Sequence, residues 1–266
     1  MLSVPQDIVV IDWVKHNLLC LVAMADNRGV ELKMSEFGLQ KLTLLDYPGR
    51  MAATVFVPGC NFRCPFCHNA FLVENIDRSG LLTRDELLAF LQKRSGVLEG
   101  VCITGGEPLM DPALPELIAR IKELDYLVKL DTNGSYPERL KSLLDAKLID
   151  YAAMDVKNTL SKYAETAGIA NPEIVDRVRE SIGLLKNSGV DYEFRTTVAK
   201  PLHEVGDFVE IGEMLSGAKR YFLQKFVDSG SLLSRKLTMS AFSDAEMAEC
   251  LQSVRRYVAA AELRGV

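Results

Sequence analysis

Thr54-Val55-Phe56-Val57-Pro58-Gly59-Cys60-Asn61-Phe62-Arg63-Cys64-Pro65-Phe66-Cys67-His68-Asn69 is the stretch on which the reading of this chain turns. Its first four residues form an apolar run rich in β-branched and aromatic side chains, which predicts a buried strand. Pro58-Gly59 breaks that run, so Cys60, Cys64 and Cys67 fall on a loop just past a strand end. Their C-x3-C-x2-C spacing lets three thiolates turn toward one centre. Thiolates suit iron–sulfur clusters or zinc, and four ligands normally close either kind of site. A cubane held by three cysteines leaves one iron open to a ligand the protein does not supply. That open iron is where chemistry is expected.

Three other readings compete. Core packing explains single cysteines, but three within eight residues beside Pro and Gly fit it badly. A disulfide needs an oxidising compartment, and nothing in the sequence indicates export. Zinc is the serious rival, with His68 as fourth ligand. Adjacent Cys67 and His68 are poorly placed to bind one tetrahedral ion, however, and structural zinc usually draws ligands from two separated loops.

Composition narrows the class. The 266 residues are enough for one α/β domain or two small ones. A net charge of −5 gives no electrostatic footprint for nucleic acid. The apolar run Leu18 to Ala25 falls well short of the roughly 20 residues that span a bilayer. No Lys or Arg precedes Lys15, which is wrong for a signal peptide, so a cytoplasmic protein without a membrane partner is expected. Of the six cysteines, Cys20, Cys102 and Cys250 are scattered, which leaves no ligands for a second cluster. Cys102 reads as a small core residue. Trp13 and His16 stand alone and carry no site.

From Phe37 the pattern becomes regular. Thr83-Arg84-Asp85-Glu86 is a capping box that starts a helix through about Arg94. Strands follow at 101–104, 127–130, 151–156, 192–198 and 221–226. Helices are expected at 112–124, 137–146, 172–188 and 205–215, with a last one capped by Ser243 and running to about Leu263. Six strands from Thr54 onward thus alternate with helices, which argues a parallel sheet covered by helices. Alternation alone does not separate an open doubly wound sheet from a barrel.

In parallel α/β folds functional groups gather at the carboxyl ends of strands, and four candidates sit there. The first is the cysteine loop. The second is Gly105-Gly106-Glu107-Pro108, whose glycines allow a backbone to approach a ligand and whose Glu107 can accept from an ammonium group. As a bare pattern it is only a turn. The third, Asp131-Thr132-Asn133-Gly134, is equally commonplace on its own. The fourth is Met154-Asp155-Val156-Lys157, where Asp155 and Lys157 point to one face of a strand. A surface ion pair worth under about 1 kcal/mol is the bland reading. Their place at the end of an apolar strand favours the catalytic face instead.

These residues also carry a family resemblance. The cysteine spacing, with the aromatic Phe66 before the last cysteine, resembles the radical S-adenosylmethionine (SAM) enzymes. Cys67-His68-Asn69 and Asp46-Tyr47-Pro48-Gly49 resemble the glycyl-radical-enzyme activases, in particular those serving the anaerobic ribonucleoside-triphosphate reductase. The resemblance runs from about Phe37 to the region of Phe226. It implies an incomplete (β/α)6 barrel, open on one side and forming a single domain over 37–266. Residues 1–36 are then an N-terminal extension, with Met34 the expected natural start.

The same resemblance assigns the site. One 4Fe–4S cluster is implied on Cys60, Cys64 and Cys67. SAM contacts are implied at Phe66, Gly105, Gly106, Glu107, Pro108, Asp131, Asn133, Lys157, Arg195 and Gln224, with Glu107 steadying its turn. Asp131, Thr132 and Asp155 are implied as a monovalent-cation site. Asp46, Tyr47, Pro48 and Gly49, with the open barrel edge, are implied to receive a partner. Some activases carry a histidine where this chain has Phe226 and Val227. An electron from a flavodoxin or ferredoxin-type donor would cleave SAM to methionine and a 5′-deoxyadenosyl radical, which takes a hydrogen atom from a partner's glycine. The partner would be the anaerobic (class III) ribonucleotide reductase or another glycyl radical enzyme, such as pyruvate formate-lyase. A small-molecule radical SAM enzyme, for example a deazaguanine-forming one, and a zinc-stabilised binding module are the rival classes.

Overall fold

Alternate side chains of each strand go to opposite faces of a sheet, and in this chain the two faces differ in chemistry. A computed structural model describes residues 36–228, 230, 232–233 and 237–265. The reading of residues 1–35 lies outside the described residues. Ten strands are described: β1 (Glu36–Thr43), β2 (Ala52–Val57), β3 (Leu82–Thr83), β4 (Gly100–Gly105), β5 (Leu127–Thr132), β6 (Tyr151–Asp155), β7 (Asp191–Lys200), β8 (Tyr221–Lys225), β9 (Ser240–Ala241) and β10 (Ala261–Arg264). They pair in the order β10-β8-β7-β6-β5-β4-β2-β1-β3, with β9 attached to β7. From β2 to β10 every neighbouring pair along that order is parallel, whereas β1 runs antiparallel to β2 and β3. The sheet stays open, with β3 and β10 as its two ends.

One face is apolar. Val55, Val101, Ile103, Val128, Leu130, Ala152, Met154 and Phe194 are all fully buried in one continuous core. They pack beneath α1 (Arg84–Arg94), α2 (Leu114–Lys122), α3 (Pro137–Asp145), α4 (Tyr163–Ala167), α5 (Glu173–Asn187), α6 (Asp207–Met214) and α7 (Asp244–Arg255). Burying each such side chain is worth about 1.5–3 kcal/mol, which fixes the register of every strand, since a slip of one residue would turn these groups to the other face. The capping box at Thr83 is present, with Glu86 N donating to Thr83 Oγ1 and Thr83 N donating to Glu86 Oε2. No helix among the described residues is long and apolar enough to cross a membrane.

The concave face carries Thr54, Cys102, Lys129, Asp131, Tyr151, Asp155, Glu193 and Arg195, which the parallel register sets side by side. Tyr47 closes its lower end, packing with Ala52, Tyr151 and Ala153 in a small second cluster. One expectation is corrected here. The last helix stops at Arg255, and residues 261–264 form β10, a seventh parallel strand alongside β8. Val258-Ala259-Ala260-Ala261 is as good a helix as a strand sequence, so only pairing with β8 decides it. Cys102 is fully buried, as expected, and its Sγ lies 3.7 Å from Lys129 Nζ.

Candidate active site

The cysteine loop leaves the carboxyl end of β2 and is pinned on three sides. On the first side is the β4 turn, where Glu107 N donates to Gly59 O at 2.8 Å and Asn69 Nδ2 to Gly105 O at 3.0 Å. Here the glycines prove to be needed for backbone meeting backbone. A Cβ on Gly106 would lie 1.8 Å from Gly59 O, and one on Gly105 2.4 Å from Val57 O. On the second side, Asn133 Nδ2 donates to Asn61 Oδ1 (3.0 Å), and Asn61 Nδ2 to Ser135 Oγ (2.9 Å). On the third, Arg63 N donates to Ala167 O at the end of α4 (2.9 Å).

Cys60, Cys64 and Cys67 then face one cavity of about 450 Å³ at the strand ends, within the roughly 300–1,000 Å³ of small-molecule sites. Burial pushes the Cys60 thiol up to about 11 and the Cys64 thiol up to about 12, and raises Cys67 as well. The bare protein therefore holds thiols, and a metal centre would have to draw off their protons. Phe62 N donates to Cys60 Sγ at 3.4 Å, one hydrogen bond ready for a thiolate. Among the described residues no three His, Cys, Asp or Glu side chains converge on a single-ion site. A cubane differs in that each thiolate takes its own iron.

Across the cavity runs an alternating chain of charges. Lys129 pairs with Asp131, Asp131 with Arg195 (3.2 Å), Arg195 with Asp155 (3.0 Å), and Asp155 with Lys157 (3.0 Å). Three cations and two carboxylates leave the row one positive charge in excess. Burial by itself would raise the Asp155 carboxyl, but Lys157 and Arg195 outweigh it and hold it well below the usual carboxylate range. Lys157 ends the row nearest the cysteines, its Nζ 5.7 Å from the centre of the Phe66 ring.

With this geometry in view, comparison with known proteins is decisive. The radical SAM superfamily profile matches residues 54–214. The chain belongs to that superfamily. A Methanocaldococcus jannaschii protein provisionally named a glycyl-radical enzyme activating enzyme is 34% identical over 195 residues, covering 71% of this chain and 78% of its own. The GTP 3′,8-cyclase of Helicobacter pylori is 31% identical over 170 residues, covering 62% of this chain and 50% of its own. Streptococcus suis SuiB, solved bound to SAM, shares the fold with a TM-score of 0.60 at 17% identity, over 78% of this chain and 48% of its own. The chain thus spans about half the length of the cyclase and of SuiB.

Radical SAM membership implies a 4Fe–4S cluster and SAM, and the donor set fits both. Three thiols share one cavity, a cubane held by them would keep one iron free of a protein ligand, and the adjoining row of charges is net positive. Of the residues expected to contact SAM, Phe66, Gly105, Gly106, Asp131, Asn133, Lys157, Arg195 and Gln224 line the cavity. Glu107 and Pro108 do not. Glu107 is fully buried beneath the site, accepting from Leu109 N, Thr132 Oγ1 and Asn133 N at 3.1, 2.8 and 2.6 Å. Thr132, Asp131 and Asp155 line the same cavity, with the Thr132 hydroxyl donating to Glu107 and the two carboxylates paired with Lys129, Arg195 and Lys157. In the Asp46–Gly49 turn only Asp46 reaches the cavity, accepting from Thr54 Oγ1 at 2.5 Å. Tyr47 is buried, while Pro48 and Gly49 are exposed at the far end of the sheet. Phe226 stacks on His68, with ring centres 6.1 Å apart.

Sequence reasoning missed Lys129, Asn61 and Ser135. The alternation Lys129-x-Asp131 within a strand was the available signal for the first. Nothing in the local pattern marks the other two, which are joined to the site only by the fold.

Proposed function

We propose that this radical SAM enzyme is a glycyl-radical-enzyme activase acting on the anaerobic (class III) ribonucleotide reductase. One observation carries the reading. The charged side chains Asp131, Asp155, Lys157 and Arg195 at the cavity are already paired with one another. A small polar metabolite needs a partner for each group it desolvates, and once the row's single excess positive charge is given to the charged end of SAM, the row holds no further counter-charge for one. A peptide loop presents a neutral backbone instead. Among the described residues β1 has no strand partner on its β3 side beyond Phe37, which gives such a loop an approach, with Leu42, Leu44 and Leu45 exposed beside Asp46. The M. jannaschii relative supports a protein substrate, and the cyclase is the case for a small-molecule one.

In this reading Cys60, Cys64 and Cys67 hold one 4Fe–4S cluster, reduced by a flavodoxin or ferredoxin-type donor. A cluster and SAM held there would supply the chemistry: reductive cleavage of SAM to methionine and a 5′-deoxyadenosyl radical, for hydrogen-atom abstraction from the partner's glycine. Lys157 and Arg195 orient the charged end of SAM, the Gly105-Gly106 backbone walls it, and Gln224 lines the mouth.

The test is to incubate the reduced, reconstituted protein and SAM with the reductase of the same genome. A doublet glycyl-radical signal in electron paramagnetic resonance is expected. If no glycyl-radical protein acquires it, while a metabolite stimulates SAM cleavage and takes up label from the deoxyadenosyl group, the small-molecule reading replaces this one.

A further inference from the structure

Lys157 lies just beyond the last residue of β6, where the parallel ladder no longer orders the backbone. The chain is nevertheless held there by side chains from three other elements. Tyr163 of α4 donates its hydroxyl to Asp155 O (3.3 Å). Thr196 of β7 donates to Val156 O (2.6 Å). His203, in the turn after β7, meets Lys157 O through Nε2 at 2.8 Å. Three successive carbonyls are thus capped one after another. Each cap is itself fixed. Tyr221 Oη donates to Thr196 Oγ1 (2.7 Å), and Asn158 Nδ2 binds Thr166 Oγ1 (2.8 Å) and Leu202 O (2.9 Å).

His203 is the most telling of the three. It is 2% exposed and packs against Phe208, with Asp207 and Lys162 the charged groups nearby. A backbone carbonyl only accepts, so Nε2 carries the proton toward Lys157 O, and Nδ1 accepts from Ala199 N at 3.3 Å. Both nitrogens of a neutral imidazole are satisfied, and burial lowers its affinity for a further proton. The same joint touches the cysteine loop through α4. Ala167 O takes the Arg63 N–H and lies 3.7 Å from Cys64 Sγ, and a Cβ on Gly168 would come within 2.3 Å of Arg63 O.

We propose that His203 is a positioning residue for SAM: with Thr196 and Tyr163 it fixes the three carbonyls that aim Lys157 at the cofactor, beside the cluster loop. The inference rests on the reading of Lys157 as a SAM contact. His203 itself touches neither SAM nor iron and acts only through the Lys157 backbone. Free rotation of residues 156–157 would let the ammonium leave its place between Asp155 and Phe66.

A double-mutant cycle separates this role from mere support of the fold. The quantity to measure is the SAM dissociation constant of the anaerobically reconstituted protein, by equilibrium dialysis. Lys157→Met is expected to weaken SAM binding by about tenfold or more, and His203→Asn by about fivefold. His203→Gln, which retains a donor near the Nε2 position, should stay within about twofold of the wild type. In the Lys157→Met background, His203→Asn should add less than about twofold. Equal losses for the Asn and Gln variants, or an undiminished Asn effect in the Lys157→Met background, overturn the inference alone. Lys157→Met binding SAM like the wild type overturns the placement of Lys157 at SAM and the inference with it. If His203→Asn fails to fold, Tyr163→Phe and Thr196→Val remove the neighbouring caps with little change of shape. Each should weaken SAM binding about threefold in the wild type and not in the Lys157→Met background, and additive losses there overturn the inference equally.

Discussion

Glu107 shows how far one side chain's role depends on what surrounds it. The Gly-Gly-Glu-Pro pattern places a carboxyl at a strand end and suggests a ligand contact. The structure gives that carboxyl to Leu109, Thr132 and Asn133 instead, so that it clasps the β4 and β5 turns together. Burial pushes it up to about 7 from an ordinary 4.5. The folded state therefore binds this proton more tightly than the unfolded chain. Its contribution to stability is full below about pH 4.5 and declines as the pH rises through about 7. A protonated carboxyl can still satisfy all its neighbours, because the Thr132 hydroxyl can turn to accept. An amide cannot, since either orientation sets an N–H against a backbone N–H. Glu107→Gln should cost about 1–3 kcal/mol in urea unfolding of the cluster-free protein, with the gap to wild type larger at pH 5 than at pH 8. The charges of the Asp131–Arg195–Asp155–Lys157 row are the converse case, because their residue types and strand-end positions already pointed to one site.

Among the elements, β10 is the one that sequence patterns misassign. Four residues are too few for a period of two to stand out, and the alanines before them favour a helix. Its value lies in one contact: Arg264 grips Glu193 through both nitrogens, at 2.9 and 3.0 Å, beside a Tyr151 hydroxyl donating at 2.9 Å. Glu193 is almost wholly buried. Arg264→Met should therefore destabilise the protein by up to about 3 kcal/mol, the low end of the cost of breaking a buried pair, since Arg264 is partly exposed. Adding Glu193→Gln should restore much of that loss, and chemical unfolding of the two variants checks both statements. The short helix α4 is a second element that sequence alone did not mark. Five residues give too little periodicity, yet this helix joins the Lys157 segment to the cysteine loop.

At the scale of the molecule, every described element from Glu36 onward belongs to one sheet and the helices that cover it. A chain beginning at Met34 is expected to assemble its cluster, cleave SAM and unfold at the same denaturant concentration as the full chain. Loss of cleavage or a lowered midpoint would show residues 1–33 to be part of the working domain. The sequence by itself determined the cysteine loop, the order of the six strands from Thr54 and the strand ends that carry charge. These are properties of spacing, periodicity and residue type, which neighbours along the chain suffice to set. The family resemblance already implied an open barrel; only the tertiary structure decided that the sheet gains β10. It alone turned Thr132 to Glu107, paired the inward charges with one another and brought His203 under Lys157. Apart from the Lys129–Asp131 and Asp155–Lys157 pairs, each of those outcomes joins groups tens of residues apart, and their energies depend on burial and distance that local sequence does not encode.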